Sequence, residues 1–135
     1  RVLAVLGEAH LMVGDARAAR AHLEAAVALS DDLSDGAGMG ASRAALASVA
    51  AAEGDLNGAR ALCRAAEGFL REAQDAAALA RALCRRGHVE LSAGNLVGAW
   101  AAHDEAAHVV RELGLPAASP LGRALAALHA ALTDG

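Results

Sequence analysis

Apolar and small residues recur along this chain at the three-and-four spacing that marks one face of a helix. In one stretch Ala19, Leu23, Ala26, Val27 and Ser30 share such a face; in a second, Ala59, Leu62, Cys63, Ala66, Phe69 and Leu70; in a third, Ala99, Ala102, Ala106, Val109, Val110 and Leu113. Each stripe predicts an amphipathic helix that must bury that face against a neighbour. Gly14-Asp15, Gly54-Asp55 and Gly94-Asn95 break the pattern, and glycine closes one helix as readily as the acid or amide caps the next. The predicted elements are a helix ending near 13, then helices over about 16–33, 39–53, 56–73, 76–93, 96–113 and 119–132. Residues 34–40 read as a loop, with Asp35 as a candidate cap and three glycines loosening the helix that follows. Ser119-Pro120-Leu121 reads as a capped start with proline in the first turn. Seven helices result, three pairs and one extra.

The three Gly-Asp/Asn pairs stand 40 residues apart, and each acid or amide is followed four residues later by Ala19, Ala59 or Ala99. A fixed period of roughly 20–50 residues marks a stack of one supersecondary unit. A single domain of three units, about 1–35, 36–75 and 76–115, with an extra helix over about 119–133, is expected. The opening Arg1-Val2-Leu3-Ala4-Val5-Leu6 is already helical in pattern, and Arg1 aligns with Ala41 and Arg81 inside their helices. The chain is therefore expected to be a segment of a longer protein.

Composition narrows the class. About 40 of the 135 residues are alanine, the best helix former, and the aromatic content is 1%. That predicts an all-α domain with a shallow, close-packed core. The net charge of −4 disfavours nucleic acid as a direct partner, since such modules carry a clustered basic excess. All 12 basic residues are arginine. No apolar run reaches the ~18 residues of a membrane span. Cys63 and Cys84 lack metal-type spacing and suit two free thiols in a reduced cytoplasmic setting.

With its two-helix unit and small-residue sites, the chain resembles the tetratricopeptide family. The first unit supplies Leu3, Leu6, Gly7, Gly14, Asp15, Ala19, Leu23 and Ala26; the second Leu46, Ala47, Gly54, Asp55, Ala59, Cys63 and Ala66; the third Leu83, Gly87, Gly94, Asn95, Ala99 and Ala106. Arg43, Arg86 and His103 depart from the family pattern at sites that are normally apolar. The 40-residue period is similar to the variant found in bacterial regulators of the maltose-regulator type. The resemblance implies a right-handed superhelical solenoid of antiparallel helix pairs, in which Gly7, Ala47 and Gly87 face Ala19, Ala59 and Ala99. It also implies a concave groove lined by the first helix of each unit, which here places Glu8, Leu11, Met12, Ser48, Arg81, Cys84, His88 and Ser92 on the groove, with Arg85 beside them.

Catalytic chemistry finds no footing. The histidines His10, His22, His88, His103, His108 and His129 show no close metal spacing. Asp104 with His108, and His108 with Glu112, read as solvated pairs one turn apart. His103 reads as a core or edge histidine, and Trp100 as packing against the last helix. The expectation is a non-enzymatic protein needing no metal or cofactor. Arg81, Arg85 and His88 concentrate positive charge at one end of the groove, which suits a peptide carrying carboxylates; the alternative is that Arg85 and Arg86 only solvate their helix. Two functions remain open, a protein-interaction scaffold binding a peptide or helix, and a ligand-sensing segment of a larger bacterial transcription or signalling regulator. Self-association into a homodimer is a third reading.

Overall fold

The computed structural model describes residues 15–134; the expected first helix, with Glu8, Leu11 and Met12, lies outside them. Six helices follow one another: α1 (Ala16–Asp32), α2 (Gly36–Ala52), α3 (Leu56–Glu72), α4 (Ala76–Ser92), α5 (Leu96–Leu113) and α6 (Pro120–Asp134). Consecutive helices pack antiparallel, so the chain is all-α with sequential packing. Backbones also meet between α2 and α4 and between α4 and α6, whereas no two of α1, α3 and α5 approach each other in this way.

Local chemistry explains the uniform lengths. Asp15, Asp35, Asp55, Asp75 and Asn95 each cap a helix, accepting from the backbone N–H three residues on at 2.9–3.1 Å. Ser119 Oγ does the same for α6, accepting from Gly122 at 3.0 Å. Such a cap contributes about 1 kcal/mol. Among the described residues those in left-handed conformation are Ser34, Gly54, Gln74, Gly94 and Gly114, again twenty apart. The turn therefore repeats every 20 residues, and the 40-residue signal arises because glycine fills the turns at 54 and 94 while Ser34 and Gln74 take that place at 34 and 74, Gly114 being the one glycine of their series. Two residues with side chains hold a conformation that glycine adopts at no steric cost.

The stretch 34–40, expected as a loop, is not one: the residues between α1 and α2 are 33–35, and α2 starts at Gly36. The Asp35 cap seeds its first turn, and Ser42 Oγ donates to the Gly38 carbonyl at 2.7 Å. The glycines serve close approach instead. A methyl on Gly40 would come within 2.5 Å of Leu70 Cγ on α3.

The stripes largely face inward. Ala19, Leu23, Ala26 and Ser30 are buried on α1, Ala59, Cys63, Ala66 and Leu70 on α3, and Ala99, Ala102, Ala106 and Val110 on α5. Leu113, the last residue of α5, is an exception at 42% exposed. Ala47 and Ala59 pack into one cluster with Cys63 and Val89. A methyl on Gly87 would come within 2.5 Å of Leu128 Cδ2 on α6. The largest cluster joins α2 to α6 through Ala44, Leu70, Leu83, Ala106, Leu128 and Leu132. Among the described residues no helix is long and apolar enough to cross a membrane.

Candidate functional site

Helical register puts Arg81, Cys84, Arg85 and His88 on adjoining positions of α4, and α6 approaches that face with two alanines. Arg81, Cys84, Arg85, His88, Ala124 and Ala127 together line a pocket of about 210 Å³. Four of the residues expected on the groove thus converge. Ser48 joins them from α2, because Arg85 Nη1 donates to Ser48 Oγ at 3.0 Å. Ser92 sits at the last residue of α4, exposed and outside this pocket.

The pocket residues differ in character. Arg81 is exposed and has no ion-pair partner among the described residues. Arg85 is half-buried and held by α2, so its guanidinium is oriented before anything binds. Cys84 is 4% exposed, and burial pushes its thiol up to about 11, with Arg85 pulling weakly the other way. It is a neutral wall of the pocket at physiological pH, as thiols become nucleophilic only when ionised. His88 is exposed at the rim, yet partial desolvation of its ring lowers its pKa below the ordinary 6.5. At neutral pH the charge of the pocket therefore resides on the two arginines.

Sequence reasoning did not name Ala124 and Ala127. The signal was present in the period: adding 40 to Arg81 and Cys84 gives Leu121 and Ala124, so α6 follows the register of α4. Small residues at 124 and 127 keep the wall close to the arginines without filling the space.

Arg86 belongs elsewhere. Its Nε stands 3.1 Å from Glu67 Oε2, and both atoms are buried without a hydrogen-bond partner, the geometry being that of a charge pair off the hydrogen-bond line. Glu67 also faces Arg71 at 3.6 Å, and Arg71 pairs in turn with Glu105 at 2.7 Å. Burial raises the Glu67 pKa, opposed by Arg86 and Arg71. The hydrogen bond from Arg71 lowers that of Glu105. Arg86 is therefore not a solvating side chain but part of an ion network joining α3, α4 and α5.

The other departures from the apolar pattern also have partners. Arg43 lies 4.8 Å over the Phe69 ring and pairs with Asp31 at 3.1 Å. Trp100, half-buried against α6, meets the rings of His103 and His129 edge-on at 5.3 and 5.6 Å. Those two histidines border a larger, mainly apolar cavity of about 420 Å³ between α5 and α6, which includes Val110, Leu115, Gly122 and Leu125. Among the described residues no group of three or more His, Cys, Asp or Glu side chains is placed to hold a metal ion. No protein-family model matches the chain, and no curated protein matches it.

Proposed function

We propose that this chain is a non-catalytic protein-interaction module of the tetratricopeptide kind, in which α2, α4 and α6 form the inner row of a curved stack and bind an acidic peptide. The observation that carries the reading is the convergence of Arg81, Arg85 and His88, from α4, with the alanine wall of α6 around one pocket. Contact within the row α2, α4, α6, and its absence among α1, α3 and α5, supports a stack that closes on the side of the first helices. A guanidinium grips a carboxylate through two parallel N–H donors, and the exposed Arg81 offers them at the mouth of the pocket. An acidic side chain or a chain terminus would enter the pocket, with the rest of the peptide along α2 and α4.

Titration of fluorescent acidic peptides against the protein tests this. Replacing Arg81 and Arg85 by alanine should weaken binding by about tenfold per arginine, as 1.4 kcal/mol corresponds to a factor of ten. Affinity should also fall with added salt. Equal affinity in the double variant would sink the assignment.

The alternative, a ligand-sensing segment of a regulator, draws on the 420 Å³ cavity between α5 and α6, whose size lies within the usual range for small-molecule sites. A compact apolar ligand that protects the protein thermally while leaving peptide affinity unchanged would favour that reading.

A further inference from the structure

We propose that His103 on α5 and His129 on α6 form a two-histidine site for a divalent transition metal, bridging the two helices at the edge of the cavity between them. Their ring centroids are 5.3 Å apart and the rings are tilted by 49°. Two imidazoles on one tetrahedral ion, each with a metal–nitrogen bond of about 2.0–2.1 Å, place their centroids roughly 5 Å apart. The observed centroid separation is of that size.

The surroundings fit the chemistry. Asp104 Oδ1 lies 2.9 Å from His103 Nδ1, the carboxylate contact that fixes a metal-binding tautomer and leaves Nε2 with its lone pair. Trp100 makes T-shaped contacts with both rings. His129 is exposed, so its ring can adjust as the ion enters. Both histidines border the same cavity, which gives water room to complete the coordination sphere. With two protein ligands the site suits ions that prefer imidazole, in the order Cu(II) above Ni(II) and Zn(II).

Trp100 is the only tryptophan and touches both rings, so it reports occupancy directly. Tag-free protein should show saturable quenching of Trp100 emission by Cu(II) and Ni(II), and Zn(II) should raise the melting temperature. His129→Ala, at an exposed position, should weaken the quenching at least tenfold, and Asp104→Ala should cost about 10–100-fold in affinity. His108→Ala, also exposed but outside the trio, should match the parent protein. Quenching that is absent, or that persists unchanged in both His129→Ala and His103→Gln, would overturn the site.

Discussion

Arg85 and Ser48 lie 37 positions apart, yet the guanidinium donates to the hydroxyl at 3.0 Å and so ties α4 to α2. The bond holds one of the two pocket arginines in place before any ligand arrives. Ser48→Ala should therefore weaken binding of an acidic peptide by less than removal of Arg85 itself, about two- to fivefold, the equivalent of roughly 0.5–1 kcal/mol for one hydrogen bond. Anisotropy titrations of Ser48→Ala and Arg85→Ala side by side check the ranking. Equal losses would mean that Ser48 meets the ligand directly.

His88 gives the same pocket a pH dependence. Its folded pKa is lowered by desolvation, so it is neutral near pH 7 and gains charge only as pH falls below the ordinary 6.5. A lowered histidine contributes stability above 6.5 that is lost as pH falls through its folded value. Binding responds in the opposite sense, because an added cation draws a carboxylate that stays ionised down to about pH 4–5. Affinity should be flat from pH 8 to 7 and rise on further acidification. In His88→Gln the rise should vanish, which titrations at four or five pH values would show.

Two helical glycines should respond to alanine with opposite sign. Gly68 in α3 has nothing within 4 Å of an added methyl, so Gly68→Ala should stabilise the fold by about 0.5–1 kcal/mol through helix propensity. At Gly40 the same methyl meets Leu70, which is 1% exposed and cannot swing away. Overpacking costs about 1–3 kcal/mol and outweighs the propensity gain. Urea unfolding of both variants tests the pair, and a stabilised Gly40→Ala would contradict the close approach of α2 and α3.

Glu67 and Glu105 should show opposite slopes of stability with pH. Glu67 is raised by burial, so its contribution is complete below the ordinary 4.5 and lost as pH rises through its folded value. Glu105 is lowered by Arg71, so its contribution is present above 4.5 and lost as pH falls. Unfolding free energies at pH 7 and pH 4 are expected to separate them. The parent protein should gain on Glu67→Gln, and lose ground against Glu105→Gln, on going to the lower pH.

Much of the architecture was legible in the chain. Helix propensity and three-and-four periodicity are local properties, so the helices from 16, 56 and 96 begin where the caps Asp15, Asp55 and Asn95 place them, and the helix from 76 begins where its pattern does. The same holds for Ser119 and for the packing of Trp100 on α6. The gathering of Arg81, Cys84, Arg85 and His88 followed from their helical spacing, because residues three and four apart share a face.

What the sequence could not decide was the partner of each residue that breaks the apolar pattern. Arg43, Arg86 and His103 read as departures, and only tertiary packing shows Phe69 with Asp31, Glu67, and His129 across from them. The glycines at 36–40 likewise looked like loop residues until the approach of Leu70 gave Gly40 a reason to lack a side chain. Periodicity is set by each helix alone, whereas pairing of charges and tolerance of bulk depend on which helix lies opposite. The sequence by itself determined the helices and their faces; the tertiary structure determined what those faces meet.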